Sequence, residues 1–456
     1  MNVFWHRRDL RIPDNRGLAL AARDDSVLPV FVVDTEFLKR VGKRQRAFFL
    51  AGVRILKAAY RERGGDLLIV AGETVEVLSR VVDAYDADCV YYNDHYRPAR
   101  RNRQRRVDAA LPTESATDLV LVDPARLDER YENHSRFHDD WERERKHTPS
   151  DSPPGSALVD VDDDRTPPEI DVDIDLPDAG YAAARARFDR FLDEGIETYG
   201  DRRDDLPAAV ERPTSTVSRM SPYLAAGMIG IREVWAAASE RRGAVTGDAR
   251  RNVDKYRYEL SWREQMYHLL YYNPHLATEN YRRFPNRIAW ENDPDHLAAW
   301  KRGETGYPLV DAGMRQLDRE GYIHNRPRQN VASFLTKHLL VDWREGARFF
   351  RQRLVDHDPA SNAGGWQWTA STGTDSVDVR IFDPVAQLRK YDAGATYVTE
   401  YVPELRDVPA GKVVDWPALS DEERASLAPE YPDPIVDRTG AYERAQRVFE
   451  RAHGNR

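Results

Sequence analysis

Across its first 125 residues the chain alternates short apolar runs with stretches whose apolar residues recur at helical spacing. No other feature narrows the fold as much. Residues 3–6, 27–33, 67–70, 89–93 and 119–122 read as strands, each flanked by polar or turn-forming residues. Between them, residues 45–63 and 74–84 carry helical periodicity, and Gly64-Gly65 ends the first of these segments. Parallel neighbouring strands need a crossover, which a helix supplies, so the alternation predicts a doubly wound, Rossmann-like parallel sheet. No GxGxxG follows the first strand, so the usual dinucleotide fingerprint is absent.

The pattern then changes. Residues 148–178, TPSDSPPGSALVDVDDDRTPPEIDVDIDLPD, are rich in Pro and Asp, lack periodicity and read as an exposed linker. Helical periods dominate beyond it: residues 253–272 stopped by Asn273-Pro274, residues 327–341 opened by Pro327, and residues 344–354. A chain of 456 residues is long enough for two cores. The expected division is an α/β domain over 1–125, a linker region with the acidic stretch over 126–198, and an all-helical domain over 199–456.

No run of about 18 apolar residues occurs, and the start MNVFWHRRDLR has charges where a signal peptide needs an apolar stretch, so a cytoplasmic protein is expected. Cys89, the single cysteine, can form no internal disulfide and reads as a buried core thiol. The net charge of −9 argues against nucleic acid at first sight. Only nine of the 68 basic residues are lysines, however, and an Arg-rich, Asp-rich balance is that of proteins from salt-loving microbes. Acidity then reports the solvent, and a local Arg patch can still bind DNA, with salt weakening the contact. No metal site is expected.

Seven of the ten tryptophans fall between Trp235 and Trp368, which as plain helical core would be unremarkable one at a time. Their company is unusual. DHDPASNAGGWQW sets Asp356, Asp358 and Asn362 ahead of Gly364-Gly365, Trp366 and Trp368, a combination suited to a polar ligand with a flat ring. Tyr256, Glu259, Trp262 and Arg263 fall near one face of a helix by spacing. HNRPRQ opens another helix with Asn325, Arg328 and Gln329 one turn apart, where unpaired backbone N–H groups favour anions. A charged helical face is usually solvated surface; flanked by aromatics, it suits base stacking and phosphate contact.

These segments resemble the photolyase/cryptochrome family over nearly the whole chain. The motifs are FWHRRDLRIPDNRGL, SRMSPYLAAGMIG, ELSWRE, TGYPLVDAGMRQL, IHNRPRQNVASFLTKHLLVDWREG, NAGGWQWTASTGTD and RIFDP. The resemblance is strongest to class I, cyclobutane pyrimidine dimer DNA photolyases of halophilic archaea. It implies an N-terminal α/β domain able to hold an antenna chromophore, a deazaflavin or a folate, and a helical domain that binds FAD. It also implies a monomer acting on ultraviolet-damaged DNA, with electron transfer from reduced FAD splitting the dimer. A blue-light receptor of the cryptochrome type is the alternative, and RQNVASFL also resembles the DASH cryptochromes.

Residue by residue, the resemblance implies FAD contacts at Tyr199, Ser218, Arg219, Met220, Ser221, Tyr256, Asn325, Arg328, Asp356, Asp358 and Asn362. Asn362 falls where the family faces the reactive flavin nitrogen; plant cryptochromes carry an acid there, so the amide favours repair. Trp366, Trp343 and Trp290 match the family's electron relay. Glu259, Trp262 and Trp368 match its lesion readers, with Arg203, Arg326, Gln329 and Arg380 near the DNA. Val217, Gln329 and the run Val377, Asp378 and Val379 before RIFDP depart from the family pattern. Only His324 stands where relatives that repair six-four photoproducts have a His-His pair, which disfavours that lesion.

Overall fold

The computed structural model describes residues 1–34, 38–375 and 379–454. By packing, the chain divides into two compact units. One comprises Met1–Glu197, Ser218–Pro274 and Val355–Ala360; the other comprises Thr198–Val217, His275–Leu354 and the chain from Ser361 onward.

In the first unit, strands β1 (Asn2–His6), β2 (Val27–Val33), β3 (Leu68–Ala71), β4 (Cys89–Asn93) and β5 (Thr113–Ala116) form a parallel sheet of order β3-β2-β1-β4-β5. Every neighbouring pair is parallel. The order reverses at β1, as a doubly wound fold requires. Helices α1 (Lys43–Arg61), α2 (Thr74–Tyr85) and α3 (Pro98–Asp108) accompany it. Val3, Val30, Val77, Leu78 and Val90 are fully buried in one core cluster. The sequence pattern missed α3 because PARRNRQRRVD buries only Arg100 and Val107 and so shows no apolar stripe.

Three expectations need correction. Residues 119–122 are buried but are not a strand; the fifth strand is Thr113–Ala116. The amides of Leu121 and Val122 donate instead to Glu264 Oε2, at 2.8 and 3.3 Å, so a buried carboxylate replaces the sheet ladder there. The acidic stretch hugs the sheet rather than hanging free. Leu158 bridges Val27, Ile69 N donates to Asp163 Oδ2 at 3.1 Å, and Pro153, Leu158, Asp163 and Pro167 are buried among exposed neighbours. Residues 126–198 also contain α4 (His134–Arg143) and a further helix, Tyr181–Glu194. Cys89, lastly, is half-buried on β4 rather than a core thiol, and burial raises its pKa.

The long helix α5 (Gly247–Tyr272) also belongs to the first unit and stops at Asn273, whose amide closes on Leu269 O. The second unit contains α6 (Asn325–Ser333), which runs into a π-helical turn, Phe334–His338, and α7 (Trp343–Arg353). Helix α8 (Pro359–Thr369) carries GGWQW. In the second unit, Trp300, Leu317, Phe334, Leu335, Leu339 and Trp343 are fully buried in one cluster. Burial of this kind contributes about 1.5–3 kcal/mol for each large apolar side chain. Buried Lys337, in the π turn, donates to Ala370 O at 2.7 Å and Ser371 Oγ at 3.1 Å, and lies 3.5 Å from the ring centre of Phe449. Desolvation pushes its ammonium pKa well down. These bonds fix the chain just beyond Trp366 and Trp368.

Candidate functional site

In the first unit, Asp358 is engaged on every side. Arg8 Nη1 donates to Oδ2 at 2.8 Å, Tyr267 Oη donates to the same oxygen at 2.5 Å, and Ala360 N donates to Oδ1 at 3.0 Å. The carboxylate therefore shapes the short segment 355–360, in which Asp356 is also buried. Tyr256 is hydrogen-bonded to Ser218, and burial pushes its phenol up to about 12, so it stays protonated at neutral pH. Arg219 holds a left-handed backbone, φ 49°, in the SRMS turn, a conformation that costs energy for a residue with a Cβ. Met220 is buried, and Ser221 starts the short helix Ser221–Ala226.

The expectation of one shared face on α5 is corrected. Tyr256 packs inward on Phe188 and Phe191, whereas Trp262 stacks on His134 of α4. Six residues of α-helix turn the side chain about 120° from its starting direction, so the two aromatics meet different helices. Trp262 remains partly exposed. Glu259 pairs with Lys255 at 2.7 Å, one turn earlier on the same helix.

The second unit holds the three expected relay tryptophans, two of them buried and one partly exposed. Trp366 is 4% exposed, Trp343 is fully buried, and Trp290 is partly exposed. Trp343 Nε1 donates to Asn280 Oδ1 at 2.9 Å, and Trp290 meets Phe449 edge-on at 5.8 Å. Asn362 Nδ2 donates to Ala347 O at 3.0 Å, which orients the amide and leaves Oδ1 as the atom able to accept. Gly365, one turn further along α8, is exposed, and a Cβ there would meet nothing within 4 Å. Arg328 lies over Phe350, Asn325 is exposed at the start of α6, and Arg203 lies 5.9 Å from the ring centre of Tyr199.

Trp368 is half-buried, with the Arg380 guanidinium 4.1 Å from its ring centre. Arg326 is paired with Asp204 and donates to Gln329 Oε1 at 3.1 Å. Gln329 thus finds a partner for its carbonyl. Val377 and Asp378 lie outside the described residues.

Sequence reasoning missed the residues that brace these groups. His134, Gly346 and Tyr267 carry no chemical signature in the sequence, and Arg8 stood within FWHRRDLR without an assigned partner. Among the described residues no cluster of His, Cys, Asp and Glu could hold a metal, and no helix is long and apolar enough to cross a membrane.

Residues 2–155 match the family described as DNA photolyase, and residues 256–451 match the FAD binding domain of DNA photolyase. A deoxyribodipyrimidine photo-lyase of Halobacterium salinarum is 43% identical over 100% of both chains. A solved bacterial class III photolyase from Agrobacterium tumefaciens superposes with a TM-score of 0.88 at 31% identity, covering 100% of this chain and 98% of the other. An archaeal photolyase from Sulfolobus tokodaii, solved with two FAD molecules, gives 0.85 at 31% identity, covering 99% and 100%. The fold, the motifs and these full-length likenesses agree: the chain belongs to the photolyase/cryptochrome family.

Proposed function

We propose that this protein is a deoxyribodipyrimidine photo-lyase, which uses light to split cyclobutane pyrimidine dimers in DNA. Relatives that align along the full chain carry that name, and a light-sensing role is not favoured. Its cofactor is FAD, held by Tyr199, Ser218, Arg219, Met220, Ser221, Tyr256, Asn325, Arg328, Asp356, Asp358 and Asn362. When bound and reduced, FAD would supply on excitation by light the electron that opens the dimer.

Asn362 carries this reading. With one Nδ2 hydrogen donated to Ala347 O, the amide is oriented, keeps Oδ1 as an acceptor, and neither holds a charge nor releases a proton. Together with the open surface at Gly365, α8 offers a bare stretch of helix beside an oriented amide whose Oδ1 can accept, which suits a planar ring with an N–H edge. Asp358 contributes by position, since its carboxylate already serves Arg8, Tyr267 and Ala360. Trp366, Trp343 and Trp290 are oxidisable rings that would pass an electron inward to the cofactor. Trp262 and Trp368 stack on the extruded dimer, whose bases unstack more cheaply than undamaged ones, and Glu259 reads their edges. Arg203, Arg326 and Arg380 meet phosphate, and Arg326 must exchange Asp204 for it.

The same reading places the protein in the cytoplasm as a monomer on ultraviolet-damaged DNA. A second, light-harvesting chromophore, a deazaflavin or a folate, extends the parallel with the two-FAD archaeal relative. Trp5, Arg7, Arg100 and Arg103 line a cleft of about 30 Å³ in the first unit, which would have to widen to admit any ring system. Heating the purified protein and identifying the released cofactor tests the flavin assignment: FAD is expected, and a folded protein that takes up no FAD would overturn it.

A further inference from the structure

We infer that His134 is a positioning residue for Trp262, holding the indole ready to receive a damaged base on the face turned away from the imidazole. The inference rests on the reading of Trp262 as a lesion reader. The two rings lie parallel, 10° apart in plane and 3.7 Å between centres, so the imidazole covers one face of the indole.

His134 is itself locked by the helix it braces. Its Nδ1 lies 2.8 Å from Gln265 Oε1, an oxygen that can only accept, so Nδ1 carries the proton. Nε2 lies 3.0 Å from Ser261 Oγ, whose hydroxyl also donates to Tyr258 O at 2.7 Å, so the far side of the imidazole rests on the same turn of α5. Ser261 and Gln265 flank Trp262 on α5, and Tyr258 closes the edge of the imidazole at 4.8 Å and 89°. Burial lowers the His134 pKa to about 4, so the stacked ring is uncharged at neutral pH.

An indole without such a backing ring would sample several rotamers, and each binding event would have to freeze one of them. With His134 in place that ordering is already made. The face of Trp262 turned away from the imidazole then meets the base, which favours a poorly stacked dimer, cheap to extrude, over undamaged bases.

The test compares FAD-loaded wild type with His134→Ala, His134→Phe and Trp262→Ala. Dissociation constants are measured in the dark for one strand with and without a thymine dimer. His134→Ala is expected to weaken dimer binding by on the order of three- to tenfold, the worth of one aromatic pair, with undamaged binding unchanged. His134→Phe keeps a ring without the hydrogen bonds and is expected to bind the dimer within about twofold of wild type. Repair per absorbed photon at saturating dimer is expected to stay the same in His134→Ala, which separates positioning from chemistry. Should His134→Ala not fold, His134→Asn, polar but without a stacking ring of that size, carries the same expectation. Full discrimination in the ring-less variants together with its loss in Trp262→Ala would overturn the inference and leave the lesion reading standing. Full discrimination in Trp262→Ala would overturn both.

Discussion

A Cβ placed on Gly346 would lie 2.1 Å from Cη2 of Trp366, so α7 rests its bare backbone on the indole. Any side chain here must push the ring or the helix away. Gly346→Ala is therefore expected to cost about 1–3 kcal/mol through overpacking. It should also slow light-driven flavin reduction, because the ring proposed to begin the relay is displaced. Thermal melting and the photoreduction rate under constant illumination measure both effects. A variant with wild-type melting would show that the helix yields at no cost.

Removing the indole while keeping an aromatic ring tests the relay itself. Trp366→Phe is expected to keep the fold and bound flavin but to lose light-driven reduction, since phenylalanine is far harder to oxidise. The measurement is the flavin spectrum during illumination with an external reductant. Unchanged kinetics would mean that electrons reach the cofactor by another route.

Much of this was legible in the sequence, and the gaps have physical causes. Strands buried on both faces announce themselves as apolar runs, which is why β2 and β4 fell on their observed residues. Residues 119–122 looked the same, but Leu121 and Val122 bond to Glu264, a tertiary contact that local pattern cannot contain. The contact residues proposed for the site come from family motifs. Their supports were not: His134 and Gly346 act through packing, and nothing in the residue type announces which ring will lie against them. The arginine-rich α3 was hidden for the opposite reason, having almost no apolar face.

Asn362 offers a test of charge. Asn362→Asp sets a carboxylate against Ala347 O, two acceptors in place of a donor and an acceptor. The substitution is expected to cost about 1–3 kcal/mol while the acid is ionised. It should lower the repair yield as well, because the new group can carry charge or a proton beside the cofactor. Chemical denaturation at pH 5 and pH 8 should show the larger loss at the higher pH. A variant equally stable at both values would contradict the contact.

Glu264 gives a pH signature. Burial raises its carboxyl to about 7, above the usual glutamate value, despite donors from Leu121, Val122 and Trp141. The folded state thus holds the proton more tightly than the unfolded state. The associated stability, about 3 kcal/mol at most, is present below pH 4.5 and is lost as pH rises to 7. Glu264→Gln does not titrate, so wild type should fall in melting temperature relative to the variant across that window. A constant difference between the two would show that the carboxylate is not strained by burial.

The most direct test of the whole account is light-driven repair in a defined strand. Fully reduced, FAD-loaded protein at low salt, illuminated with near-ultraviolet or blue light, is expected to restore adjacent thymines in a dimer-containing oligonucleotide. No repair is expected in the dark, and none from the double variant Glu259→Ala, Trp262→Ala. If reduced wild-type protein, saturated with dimer DNA and illuminated, restores no thymine, the assignment as a photo-lyase is contradicted.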